Sequence, residues 1–230
     1  MKLVNVQLTH FDHPLCLNLH LDPKQIYLLL GDSGCGKTSF LKAIAGFTDL
    51  RSGEISNDGE HTAMLLQNPF HQIIMQKVRD ELTFPLRNSG MGKDEADDQC
   101  MEIVEKLQIG HLMDRDISTL SFGETQLVMI AATCLTPADI LLMDEPTSHL
   151  DPPFVKRFYQ CMRDLANEGK SVCITSQSPD EYIFADEIWI MEKGVVNTQI
   201  DVHKGSVALK DAGILLDKDM VDKKLEEYGK

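Results

Sequence analysis

Residues 31–38 read GDSGCGKT and fit the pattern G-x-x-x-x-G-K-[ST], between an apolar run and a helix-patterned segment. Gly31, Gly34 and Gly36 permit backbone angles that a β-carbon resists, so successive N–H groups can turn inward on one anion. Asp32, Ser33, Cys35 and Ser39 complete the loop and its exit, and the helix that follows adds its positive N-terminal end. Lys37 is placed to reach the β- and γ-phosphates of a nucleotide, and the Thr38 hydroxyl to ligate Mg2+. A second motif, ILLMDEP at 140–146, is an apolar run that ends in two acids. Asp144 is placed to hold Mg2+, and Glu145 to orient or deprotonate an attacking water. Together the two motifs suit transfer of a terminal phosphoryl group to water. Cys35, inside the loop and near a helix end that favours thiolate, reads either as an oxidisable thiol that nucleotide would block or as a tolerated spacer.

The elements that must position these residues are legible in outline. KLVNVQL (2–8) and LCLNLHL (15–21) alternate apolar and polar residues, as an antiparallel hairpin does. QIYLLL (25–30) is a continuous apolar run, the pattern of a buried parallel strand. TSFLKAIAGF (38–47) reads as a helix, and TAMLLQNP (62–69) as a strand ending in a polar turn. Helices follow over 94–109 and 121–135, the second apolar on most sides and therefore buried. DILLMDEP (139–146) returns to a strand, and 153–169 is a helix stopped by Gly169. Strands close the pattern at 170–176 and as a pair within 187–200, turning at Lys193–Gly194. The expected fold class is α/β: one domain over 1–230, with a parallel-sheet core (1–82 and 136–200), an N-terminal antiparallel hairpin, an inserted helical subdomain (83–135) and a polar tail (201–230).

The formal net charge is −14, which argues against a broad nucleic-acid-binding surface. Apolar runs are strand-sized, too short for a bilayer, and the N-terminus lacks a signal-peptide block, so a cytoplasmic chain is expected. Six cysteines (16, 35, 100, 134, 161 and 173) are scattered with no C-x-x-C pair, which argues against a zinc site or disulfide framework.

Between the two motifs lies TLSFGETQ (119–126), with a serine and a glycine where a helix could begin. Here the chain resembles the ATPase subunits of ABC transporters, whose fold is a RecA-like P-loop NTPase. Gln67, closing MLLQ, matches the glutamine of that family's Q-loop; LSFGE (120–124) stands where its LSGGQ signature is expected; SHLD (148–151) matches its D-loop, with Asp151 as the acid. The resemblance implies ATP and Mg2+ as cofactors, with Gln67 sensing the metal and the γ-phosphate. It implies a second ATPase subunit, identical or related, facing this one head to tail. Ser121 and the Gly123 N–H would then meet the γ-phosphate held by the partner. It further implies transmembrane subunits seated between core and helical insert, a peripheral place on the cytoplasmic face of the membrane, and no nucleic acid.

Two departures stand out. Phe122 and Glu124 replace a glycine and the glutamine of the signature, and a carboxylate near a polyphosphate is repulsive unless paired. Where the family reads ITHD, this chain has Ser176 and Gln177, which can hydrogen-bond but cannot carry a proton charge near neutral pH. Ser176 takes the catalytic switch position by this resemblance, and slow hydrolysis is expected. The adenine-stacking aromatic expected after the first strand falls on His10 or Phe11, with Phe11 equally readable as a packing residue. Residues 67–88 are similar to the QNP-x-x-Q segment of energy-coupling-factor transporter ATPases: Gln67, Asn68, Pro69 and Gln72 are in place, and Val78, Asp80, Glu81, Leu82 and Phe84 follow. Those proteins power uptake of vitamins and trace metal ions, commonly as unlike pairs on a shared scaffold. The competing expectations are a generic ABC importer or exporter ATPase, and a nucleotide-binding regulatory partner with little hydrolysis.

Overall fold

Ile26–Leu30 (β3) is apolar at every position and buried at every position, because both faces of its sheet are covered. It lies within a six-stranded sheet in the order β5-β6-β7-β3-β8-β9, where β5 is Thr62–Leu65, β6 Ile140–Asp144, β7 Ser171–Ser176, β8 Glu187–Glu192 and β9 Val195–Asp201. All neighbours pair in parallel except β8 and β9, an antiparallel pair that turns at Lys193 and Gly194, both with positive φ. The computed structural model describes residues 1–8, 15 and 18–201, without the side chains of 179 and 197–201. The tail beyond 201, Cys16, and the adenine candidates His10 and Phe11 lie outside the described residues.

Alternate residues of the strands serve two cores. Ile26, Leu28, Leu30, Leu141, Met143 and Ile174 face one layer, built from the helices Val78–Asn88 (α2), Lys93–Leu107 (α3), Phe122–Leu135 (α4) and Pro152–Asn167 (α5). Tyr27, Leu29, Leu142, Cys173 and Trp189 face the other, where the helix Lys37–Ile44 (α1) packs beside a second sheet. That sheet is antiparallel in the order β2-β1-β4, with β1 Lys2–Leu8, β2 Asn18–His20 and β4 Leu50–Ser56. The hairpin expected at the N-terminus is present as β1 against β2, Leu3 opposite Leu19.

Most expected elements form near their expected bounds, and two differ. β4 has no counterpart in the sequence reading. α2 opens at Val78 and so runs across the expected 82/83 boundary of the helical subdomain, carrying Pro85 inside it. Among the described residues, Cys35, Cys100, Cys134, Cys161 and Cys173 are free thiols.

Register then places the chemistry. Leu30 pairs with Ser176, and Asp144 with Thr175, so the carboxyl ends of β3, β6 and β7 lie side by side. This edge is where open α/β sheets bind their ligands.

Candidate functional site

The chain leaves β3 into the loop 31–36 and re-enters regular structure at Lys37. Gly36 stands at the N-cap of α1 with φ 111°, a conformation that a side chain strongly disfavours. A β-carbon on Gly31 would lie 2.5 Å from the Met191 carbonyl oxygen and 2.6 Å from Cys35 Sγ, so the loop closes tightly only with glycine there. Lys37 is buried and its ammonium folds back over the loop. It donates to the carbonyls of Gly31 (2.7 Å) and Asp32 (3.2 Å) and pairs with Glu145 Oε1 at 3.3 Å. Its three donors therefore face three acceptors.

Thr38 and Thr175 flank Asp144. Thr38 Oγ1 donates to Asp144 Oδ2 at 2.7 Å and Thr175 Oγ1 to Oδ1 at 2.8 Å. Burial pushes the Asp144 carboxyl above the usual carboxylate range; the two threonine hydroxyls pull it down, Glu145 pushes it up, and Lys37 pulls it down. The sequence reading missed Thr175, a polar residue inside a strand of buried ones. A buried carboxylate beside a hydroxyl is a hard-oxygen donor set that suits Mg2+. Among the described residues no group of three or more His, Cys, Asp or Glu could hold a metal alone.

Glu145 turns out of the strand with φ 49°, in the left-handed region, where a non-glycine residue is strained. Its N–H donates to Thr175 Oγ1 (2.9 Å). Its carboxylate accepts Gln67 Nε2 on Oε2 (3.1 Å) and Gln177 Nε2 on Oε1 (2.8 Å). Ser176 is buried, and its hydroxyl accepts the Ser178 N–H (3.0 Å). A cavity of about 460 Å³ opens beside these groups, lined by Glu145, Thr147, Ser148, Ser176, Gln177 and Glu181 among others.

The segment that carries Gln67 is anchored at both ends. The Gln72 side chain accepts the Leu66 N–H (2.7 Å) and donates to the Met64 carbonyl (2.7 Å). Glu81, buried at the start of α2, accepts the N–H groups of Ile74 (3.0 Å) and Met75 (2.6 Å).

Ser121 is the N-cap of α4 and forms a reciprocal capping box with Glu124. The Ser121 N–H donates to Glu124 Oε2 (2.7 Å), and the Glu124 N–H to Ser121 Oγ (3.3 Å). Arg115 donates to Glu124 Oε1 at 2.7 Å, so the carboxylate is paired. The Ser121 contacts, and then Arg115, hold the Glu124 carboxyl below the usual range. Phe122 is partly exposed and sits between Phe70 (centroids 5.8 Å apart) and His149 (4.7 Å), joining the signature to the Gln67 segment and to 148–151. A β-carbon on Gly123 would make only ordinary contact with the His149 carbonyl at 3.6 Å. Ser148 donates to the Glu145 carbonyl (3.0 Å), and Asp151 is the N-cap residue of α5, with no cap hydrogen bond from its side chain.

The structure thus gathers the loop 31–38, Gln67, Asp144, Glu145 and Gln177 at one sheet edge. Ser121 and Gly123 lie at the start of α4, where the Phe122 ring meets Phe70 and His149. Among the described residues no helix is long and apolar enough to cross a membrane.

A family profile described as ABC transporter matches residues 16–148. YkoD of Bacillus subtilis, whose name makes it a candidate HMP/thiamine import ATP-binding protein, is 33% identical over 72% of this chain, which spans only 34% of that relative. The energy-coupling factor transporter ATP-binding protein EcfA1 of Latilactobacillus sakei is 28% identical, over 93% of this chain and 84% of the relative. Among solved structures, cbiO1 from Clostridium perfringens, part of the ABC transporter complex cbiONQ, superposes with a TM-score of 0.75 at 22% identity, over 94% of each chain.

Proposed function

Because the chain belongs to the ABC transporter family, we propose that it is the ATP-binding and ATP-hydrolysing subunit of a membrane importer of the energy-coupling-factor type. The observation that carries this reading is the Glu145 carboxylate, held at the mouth of the loop 31–38 beside the Lys37 ammonium.

The loop amides of 31–36 and the start of α1 cradle the β- and γ-phosphates of ATP. Lys37 exchanges its contacts with Gly31, Asp32 and Glu145 for phosphate oxygens, which leaves the Glu145 carboxylate directed at water. Thr38 and Asp144, with Gln67, would hold Mg2+, whose charge offsets that of the β- and γ-oxygens. Ser121 and Gly123 would close over the nucleotide of a second, head-to-tail subunit. Among the described residues, a β-carbon at 123 would meet the His149 carbonyl oxygen at 3.6 Å, an ordinary contact. Exposed Phe70 and Ile74, with a cavity of about 400 Å³ lined by Met75, Asp80, Thr83, Phe84, Arg87 and Asn88, offer a seat for a helix of the transmembrane partner. The chain would then work peripherally, on the cytoplasmic face.

A second reading, a regulatory partner with little hydrolysis, is favoured by the capping box that occupies the Ser121 N–H with the chain's own Glu124. Calorimetry with ATP and Mg2+, followed by turnover of the wild type against Glu145→Gln, separates the two. Binding with turnover that Glu145→Gln abolishes supports the enzyme; binding with equal, negligible rates supports the regulator. No binding at all overturns both. Co-purification from native membranes tests the transporter assignment by identifying the scaffold and any sister ATPase.

A further inference from the structure

The turn that leaves β6 is tied down residue by residue. The Glu145 N–H donates to Thr175 Oγ1 in β7 (2.9 Å), and the Pro146 carbonyl accepts Gln126 Nε2 from α4 (3.2 Å). Thr147 Oγ1 donates to Glu181 Oε1 (2.7 Å), and Ser148 Oγ donates back to the Glu145 carbonyl (3.0 Å). Glu145 itself stands at φ 49°, so the turn carries strain and its neighbours must hold it in place.

Glu181 is the member of this set to which the proposed reaction gives no part. It lies in the 3-10 helix Pro179–Phe184 and is buried, and its second oxygen accepts the Tyr159 hydroxyl at 2.7 Å. A carboxylate only accepts, so both hydroxyls are donors to it. Taking such a group out of water is costly unless its oxygens find partners of this kind. The two donors come from opposite ends of the loop 148–151: Thr147 just before it, and Tyr159 within α5, the helix that follows it. The Tyr159 ring is stacked on Phe184 at the end of the same 3-10 helix, 4.3 Å between centroids and 8° from parallel. One carboxylate therefore bridges the entry and the exit of the loop on its buried side, while the exposed His149 meets the Phe122 ring.

We infer that Glu181 is a positioning residue of the loop 148–151: by joining Thr147 to Tyr159 it fixes the turn and loop against α5, so that His149 stays against Phe122 and the signature helix. Glu181 lines the same cavity as Glu145, but it acts through Thr147 rather than on the nucleotide. The inference rests on the ATPase reading for its effect on turnover, while the bridge itself can be tested without nucleotide.

The test uses the intact chain and the variants Glu181→Ala, Glu181→Gln, Thr147→Val, Tyr159→Phe and the double variant Glu181→Ala/Thr147→Val, each checked for folding by circular dichroism. Amide hydrogen exchange in nucleotide-free protein, read by peptide mass spectrometry over 147–151, is expected to speed up several-fold in Glu181→Ala and to stay near wild type in Glu181→Gln. A glutamine keeps an acceptor for one hydroxyl and can donate to the other. Exchange in β3 is expected to be unchanged throughout. In turnover, Glu181→Ala is expected to lower kcat about tenfold, the weight of one charge-assisted hydrogen bond, with KM little changed, and Glu181→Gln to recover most of it. Thr147→Val is expected to lower kcat alone yet to add little on top of Glu181→Ala, because both remove the same bridge. Unchanged exchange over 147–151 in Glu181→Ala overturns the inference whether or not the wild type turns over. So do losses in kcat that multiply in the double variant, or a Glu181→Gln variant as slow as Glu181→Ala. Should Glu181→Ala fail to fold, Thr147→Val and Tyr159→Phe, each removing one donor, carry the same exchange test, and unchanged exchange in both overturns the inference. Absence of ATP binding by the wild type would instead overturn the ATPase reading, and the exchange result would still decide the bridge.

Discussion

The Thr38 hydroxyl donates to Asp144 Oδ2 at 2.7 Å, across 106 residues of sequence. The bond ties the first turn of α1 to the end of β6, so the phosphate loop and the acidic strand end share one rigid edge before any ligand arrives. Replacing Thr38 by Val keeps the shape and removes the donor. The buried carboxylate then keeps Thr175 alone, and leaving such a group short of a partner costs about 1–3 kcal/mol. Urea denaturation of nucleotide-free Thr38→Val should show a loss of that order, with Thr38→Ser near wild type. Mg2+-dependent gain in nucleotide affinity should vanish in Thr38→Val and persist in Thr38→Ser.

Asp144 itself should behave in the opposite sense. Burial raises its carboxyl pKa in the folded chain above the ordinary 3.8. A raised acid binds more protons folded than unfolded, so its favourable contribution is full below 3.8 and is lost as pH rises through the raised value. Above that raised value, with no cation bound, the charged group therefore opposes folding. Asp144→Asn should raise the Tm of nucleotide-free protein near pH 7, with the advantage shrinking as pH falls. The same variant should lose the Tm increase that ATP and Mg2+ give the wild type. Thermal scans across pH, with and without nucleotide, check both halves.

How much of this was legible in sequence depends on range. GDSGCGKT and ILLMDEP announce themselves because glycine, lysine and paired acids do their work within a few residues. β4 was silent: in LRSGEIS only Leu50 and Ile55 are apolar, and the strand lies at the edge of its sheet with most of its residues exposed. α2 was obscured by Pro85, which reads as a breaker yet is carried inside the helix. Contacts set by register were beyond reach. Thr175 reads as one polar residue in an apolar strand, and that Gln177 rather than Ser176 touches Glu145 follows only from how β7 lies against β6. The pairing of Glu124 was likewise hidden, since Arg115 reaches it across the turn before α4.

That pairing sets an acid response. The Glu124 carboxyl sits below its ordinary 4.5, first through the Ser121 contacts and then through Arg115. A depressed acid stabilises the fold above its unfolded value, and that contribution is lost as pH falls through the lower folded one. Glu124→Gln can still cap Ser121 but cannot pair with Arg115. The wild type should therefore be the more stable of the two at neutral pH, and the gap should close as pH drops below 4.5. Arg115→Ala should reproduce part of the neutral-pH loss. Chemical denaturation at several pH values reads the gap directly; a gap constant with pH would mean that the carboxylate's charge plays no part.

Phe122 makes the last prediction, because its ring joins three segments, the start of α4, the turn at 68–71 and the loop at 148–151. Its ring contacts Phe70 on the Gln67 side and His149 on the other. An aromatic pair is worth about 0.5–1.5 kcal/mol beyond its buried area, and glycine at the first position of α4 adds backbone entropy to the loss. Phe122→Gly should therefore destabilise the isolated chain modestly, by about 1–2 kcal/mol. It should also free the start of α4 from the turn at 68–71 and from the loop at 148–151. If the ring crowds the surface that meets a second subunit, ATP-dependent dimerisation in analytical ultracentrifugation should strengthen in Phe122→Gly despite the lower stability. Phe122→Tyr, which keeps the ring, should change neither. Weaker dimerisation in Phe122→Gly would instead make the aromatic contact a support for the signature, holding Ser121 in place for its partner.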